Sequence, residues 1–256
     1  NIKWKFGEVM SVNPKNMLNK SKNLNKRVDI DEICLDGVTV DDLKFRGDNY
    51  KQYIHLHSLL ENVSSCQVSD AFNSISRRSG VIQEIKPVNN QKVYGRIFTA
   101  ETTSDDWGTS ALAIDAAQED DILFFKVDND DKAIWGELAS ICARDNGIKA
   151  TVIYGSARDL DALLYMDYPI FSTNFCPNAG SALGLGSLNE PLDINGFKVN
   201  PGDFFIGDEC GVVVIPQELF AKTMVGALGV KIKELNIINK LSQGATLSEI
   251  AGFEKK

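Results

Sequence analysis

Between Ile134 and Asp161 the apolar positions change period, and the change predicts a helix followed by a strand. Ile134, Leu138, Ile141 and Cys142 recur at helical spacing and Gly147 supplies a stop, so a helix is predicted over about 136–146. The next apolar run, Ala150 to Tyr154, is nearly continuous, as in a strand buried on both faces. Gly155 is expected to break it into the loop Ser156-Ala157-Arg158-Asp159.

Elsewhere the same rules predict helices over Tyr53–Val63 and Val68–Ile75, separated by Ser64-Ser65. Strands are predicted at Val93–Thr99 and Ile122–Val127, with a helix over 109–118 between them. The stretch 201–216, PGDFFIGDECGVVVIP, reads as two short strands around a turn, with Pro201-Gly202-Asp203 as a corner and its carboxylates as turn formers. From Gln217 the pattern is helical, and Thr246-x-x-Glu249 has the form of a capping box. The fold class is therefore α/β. Residues 1–52 differ in texture, rich in Asn and Lys up to Arg27 and acidic thereafter. They are assigned as an N-terminal arm with one or two short strands around 30–40, and 53–256 as the main domain. The basic run Lys20–Arg27 is expected to be a solvated linker.

Charge narrows the partners. A net charge of −8 and a pI near 4.9 disfavour nucleic acid and anionic membrane, which both reward basic surfaces. Five cysteines without CxxC spacing and two histidines fit neither a disulfide framework nor a structural zinc site, and a reducing cytoplasm is expected. No apolar segment approaches a membrane span, and NIKWKFGEVM lacks the apolar core of a signal peptide.

Several motifs invite chemistry and are better read as structure. His55 and His57 are two apart, so on a helix they face different ways. The acidic stretch Asp128-Asn129-Asp130-Asp131 lacks the glycine and distal glutamate of a calcium loop and is expected to be a solvated hairpin turn. The Gly-rich 179–188 fits no dinucleotide or phosphate-loop register and is expected to be a flexible loop or sheet crossover. The loop after the 150–154 strand is more promising, because α/β folds place ligand sites at strand ends. Arg158 can donate to a carboxylate or developing oxyanion, and Asp159 is a hard oxygen ligand for a divalent cation. Glu137 lies in the first turn of its helix, where the amides of Leu138 and Ala139 lack intrahelical partners and can bind an anion. A helix-terminal charge plus a surface Arg–Asp pair accounts for the spacing equally well, so spacing alone leaves both readings open.

Glu137, twenty residues, then Arg158-Asp159 is similar to the acidic-x20-Arg-Asp signature of the RraA-like family, which includes class II 4-hydroxy-4-methyl-2-oxoglutarate aldolases. The resemblance extends over roughly 59–253. It runs through VSDAF (68–72), IKPV (85–88), GRIFTA (95–100), WGELA (135–139), 201–216 and the LSQGATLSEIAG ending. It implies a swivelling β/β/α fold and a homotrimer or dimer of trimers. It also implies cleavage of a 4-hydroxy-2-oxo acid to pyruvate through an enolate, with oxaloacetate decarboxylation as a related activity. Mg²⁺, or another divalent cation such as Mn²⁺, would be held by Asp159 and waters. Arg158 would stabilise the developing oxygen charge, Glu137 would hold or deprotonate a water, and the Leu138 and Ala139 amides would bind the substrate carboxylate. Asp70 takes the place of an acidic residue near the metal, and Glu234 matches a glutamate reaching the site from a neighbouring subunit. Tyr154, Ala139 and Ala162 depart from the common pattern, which bears on the substrate more than on the reaction. Other relatives inhibit a ribonuclease by binding it, so a protein-binding regulator is the alternative.

Overall fold

The computed structural model describes residues 61–253, so the arm, the strands expected around 30–40, both histidines and most of the 53–63 helix lie outside the described residues. Residues 61–230 belong to one compact unit and 231–253 to another.

The first unit opens with α1 (Ser65–Ser76), whose cap is a reciprocal box that the sequence reading took only as a separator. The Ser64 amide donates to Gln67 Oε1 at 3.0 Å and the Gln67 amide to Ser64 Oγ at 3.3 Å. There follow β1 (Lys86–Pro87), β2 (Val93–Thr102), α2 (Gly108–Ala116), β3 (Asp121–Val127), β4 (Ala133–Trp135), α3 (Glu137–Asp145), β5 (Ala150–Ala157), α4 (Leu160–Tyr165) and β6 (Ile170–Phe175). Then come β7 (Ser187–Leu188), the separate hairpin β8 (Leu192–Ile194) and β9 (Phe197–Val199), β10 (Phe204–Asp208), β11 (Gly211–Ile215) and α5 (Phe220–Ser242). In the second unit α6 (Leu247–Ile250) starts on the predicted capping box, with the Thr246 amide on Glu249 Oε2 at 2.9 Å and the Glu249 amide on Thr246 Oγ1 at 3.3 Å. No helix among the described residues is long and apolar enough to cross a membrane.

One sheet runs in the order β1-β6-β5-β3-β2-β10-β11, with β4 added to β5 and β7 to β2. Its centre, β2, β3, β5 and β6, is parallel. Parallel neighbours require crossovers, which α2, α3 and α4 supply. Val81, ahead of β1, bridges Val213 on β11, so the two edges approach and the sheet nearly closes into a barrel.

Both faces of the central strands are covered. Leu123, Phe125 and Val127 pack with Ala113, Ile114, Ala143 and Leu163 on the helix side. Ile122 and Phe124 join Phe171, Phe205 and Val214 on the other. A fully buried side chain of this kind contributes about 1.5–3 kcal/mol, and a one-residue slip would exchange the two sets, so the register is strongly fixed.

Three expectations need correction. β5 does not stop at Gly155 but continues to Ala157 through a bulge between Ile153 and Ser156. A Cβ on Gly155 would strike the Val127 side chain, so the glycine permits a close approach within the strand instead of ending it. Residues 128–131 are not a hairpin turn, because β3 and β4 both run parallel to β5 and β4 takes up pairing where β3 has finished. The Gly-rich stretch carries β7, as a crossover would, but its amides are pinned to a buried carboxylate, as described below.

Candidate functional site

The chain leaves the end of β4, turns into α3 and returns along β5, which finishes beside β4. This is why residues about twenty apart meet. Trp135 pairs with Ala157, and the Arg158 amide donates to Trp135 O at 3.0 Å. The turn between β4 and α3 is fixed from below: Trp135 Nε1 donates to Ser140 Oγ at 2.8 Å, and Ser140 Oγ donates to Gly136 O at 2.9 Å, all buried.

Asp159 adopts a left-handed conformation, φ 59° and ψ 40°, which Asp tolerates better than most residues. There its carbonyl accepts the amides of Ala162 and Leu163, starting α4, while its side chain turns back across the gap to α3. Asp159 Oδ2 accepts the Glu137 amide at 3.1 Å and lies 3.6 Å from Arg158 Nε. With the two side chains 42% and 38% exposed, this ion pair contributes about 0–1 kcal/mol and does not hold the loop by itself.

Gly136 is the residue that sequence reasoning missed. A Cβ there would fall inside the contact distance of Asp159 Oδ2 and 3.1 Å from Arg158 Cγ. The available signal was a glycine immediately ahead of the helix that carries Glu137. Among the described residues the amides of Leu138 and Ala139 have no acceptor, and Leu138 is 77% exposed. Glu137 is exposed as well. The structure therefore gathers Glu137, Leu138, Ala139, Arg158 and Asp159 around one helix start.

Asp70 is not gathered there. It is exposed on α1, which packs against β10 and β11, and β10 is three places from β5 in the sheet. Glu234 belongs to the second unit, near enough to Lys231 to favour that lysine's charged form, although burial has the larger effect and leaves the lysine pKa lowered.

The loop 179–188 flanks this region, with Ala179 bridging Ala133 of β4. Its glycines serve backbone packing around a buried Asp106. That carboxylate accepts the amides of Leu183 at 3.0 Å, Gly184 at 2.8 Å and Leu185 at 2.8 Å, and the Thr109 hydroxyl at 2.7 Å. Burial pushes the Asp106 carboxyl up, but these bonds together outweigh it and hold it well below the usual carboxylate range. The loop amides thus hold a protein carboxylate and not a phosphate. Asp106-x-x-Thr109 ahead of the helix at 109–118 was the sequence signal.

A cation suits Asp159 on the donor set present. One carboxylate oxygen is engaged by an amide while the side chain stays open to water, and among the described residues no three His, Cys, Asp or Glu side chains gather as a metal cage. A single carboxylate completed by waters and substrate is how Mg²⁺ is commonly bound.

The model of the RraA-like family, described as Aldolase/RraA, matches residues 65–214. An uncharacterized protein of Methanocaldococcus jannaschii is 37% identical over 174 residues, covering 66% of this chain and 84% of that one. The "Putative 4-hydroxy-4-methyl-2-oxoglutarate aldolase" of Halalkalibacterium halodurans is 31% identical over 152 residues, 59% of this chain and 71% of its own. Among solved structures, an uncharacterized protein from Pseudomonas syringae pv. tomato is 28% identical with a TM-score of 0.67, over 77% of this chain and 96% of that one.

Proposed function

The chain belongs to the RraA-like family, and from that premise we propose that it is a divalent-metal-dependent lyase that cleaves a 4-hydroxy-2-oxo acid to pyruvate, with oxaloacetate decarboxylation as a second activity. The observation that carries the reading is the 3.1 Å bond from the Glu137 amide to Asp159 Oδ2, across a glycine that leaves no room for a side chain. The two ends of the acidic-x20-Arg-Asp pattern are thereby joined at one helix start.

Asp159 is the residue that would hold Mg²⁺, and a cation bound there supplies Lewis-acid polarisation of the 2-oxo carbonyl. The amides of Leu138 and Ala139 receive the substrate carboxylate at the positive end of α3. Breaking the bond between C3 and C4 leaves a pyruvate enolate. Arg158 donates to the oxygen on which that charge develops, a role whose loss typically costs about 3–4 kcal/mol of barrier. Glu137, exposed at the same helix start, holds or deprotonates the water that takes the C4 hydroxyl proton as that carbon becomes a carbonyl, and a proton returned to C3 of the enolate gives pyruvate.

The assembly is proposed to be a homotrimer or a dimer of trimers in which Glu234 reaches a neighbour's site. Leu138, Leu164 and Tyr165, 77%, 46% and 90% exposed on α3 and α4, support a neighbour covering this face. Asp70 is retained as a second-tier residue on the same premise. A non-catalytic regulator would need neither the close glycine nor the free amides, and no feature of the site favours it.

The test is pyruvate release from a panel of 4-hydroxy-2-oxo acids and oxaloacetate, with and without Mg²⁺. Release from at least one substrate that stops on chelation is expected. Binding of a ribonuclease with no turnover of any panel member would overturn the proposal in favour of the regulator.

A further inference from the structure

Away from this site, one carboxylate fastens two distant cysteine-bearing segments together. Asp208, at the end of β10 and buried, accepts the Ser65 amide at 2.8 Å and the Ser65 hydroxyl at 2.6 Å, which anchors the first turn of α1. The same side chain accepts the Cys210 amide at 3.0 Å, which shapes the β10–β11 turn. Cys66 follows Ser65 directly, so the clamp that orients α1 also sets where Cys66 and Cys210 stand. Both side chains are exposed in the chain, and one carboxylate receives both the Ser65 and the Cys210 amides, so the two cysteine-bearing segments meet at Asp208. They are 144 positions apart, and neither belongs to the lyase site or to a metal-ligand pattern.

We propose that Cys66 and Cys210 are an oxidant-sensitive dithiol that a hydroperoxide closes into an intramolecular disulfide, fastening the start of α1 to the β10–β11 turn. The chemistry balances in two steps. Attack of one sulfur on the peroxide breaks the O–O bond, giving a sulfenic acid and one water from hydrogen peroxide. The second sulfur then attacks the sulfenic sulfur, forming the S–S bond and releasing a second water. Two thiols are oxidised by two electrons and one peroxide is reduced. The neighbouring Cys66 and the charges of Asp208 and Glu209 push the Cys210 thiol up, and the disulfide formed is the same whichever sulfur attacks first. An odd cysteine count excludes a full disulfide framework but leaves room for one local pair.

The experiment uses the full chain, reduced, freed of reductant and titrated with hydrogen peroxide, then alkylated and mapped without reduction. The expected product is a Cys66–Cys210 linked peptide, lighter by two hydrogens than the separate peptides, within a single chain. Because the bond would close a long loop, the melting temperature should rise by about 5–15 °C and fall back with dithiothreitol. Cys66→Ser and Cys210→Ser should each abolish both effects while Cys34, Cys142 and Cys176 remain. Recovery of both thiols alkylated, separate over-oxidation, or linkage to another cysteine or another chain would each overturn the proposal. The parental peptide map decides the matter even if a serine variant fails to fold.

Discussion

Arg158 and Asp159 are neighbours in sequence but are held by different bonds, so they should respond differently to substitution. Arg158 is fixed through its backbone to Trp135, which leaves its guanidinium exposed beside Asp159, where it can act on a ligand. Arg158→Lys should therefore keep the fold and lose most turnover, about 10²-fold or more, because an ammonium does not reproduce the planar fork of donors. Circular dichroism and pyruvate release check the two halves, and a folded, fully active lysine variant removes Arg158 from the mechanism. Gly136→Ala is the sharper test of geometry. Its methyl would push Asp159 away from the Glu137 amide, so activity should fall at least tenfold with about 1–3 kcal/mol of destabilisation. An alanine variant with parental activity would mean that the contact is dispensable.

At the scale of elements, Asp106 ties α2 to the Gly-rich loop. Its folded pKa lies below the unfolded value of ~3.9, so its contribution is complete above that value and is lost progressively as pH falls from there through the lower folded pKa. Asp106→Asn should cost about 1.5–3 kcal/mol at neutral pH, and the gap from the parent should narrow below about pH 4. Thermal melts across that range measure it, and a gap independent of pH would assign the bonds no charge-dependent role. Elements with strong periodicity were legible in the sequence: α1, β2, β3 and the β10–β11 pair appear where apolar spacing places them. What was not legible depends on contacts between distant segments. Gly155 looks like a breaker because sequence does not reveal that Val127 fills the space its side chain would need. The acidic 128–131 looks like a hairpin because nothing local shows β4 joining β5 in parallel. Asp106 was only half legible: Thr109 lies three residues on, but the loop amides that it also binds lie 77–79 residues downstream. At the site, the residues with ionisable side chains could be read off the motif, whereas Gly136 acts through absence of a side chain and becomes visible only beside Asp159.

At the scale of the whole molecule, the assembly proposed above would build each site from two chains, with Asp159 from one and Glu234 from its neighbour. Arg158→Ala and Glu234→Gln proteins should each be nearly inactive. Subunit exchange after mixing should restore part of the activity by creating sites with both residues intact. No recovery despite demonstrated exchange would mean that Glu234 acts within its own chain or not at all. The most direct measurement of metal-dependent cleavage at this helix start is the rate of pyruvate release against Mg²⁺ concentration, after chelation, for the parent and Asp159→Asn. Removing one formal charge from the proposed ligand shell should move the midpoint to roughly tenfold higher Mg²⁺ or beyond. An unchanged midpoint, or pyruvate release that survives chelation in the parent, would contradict it.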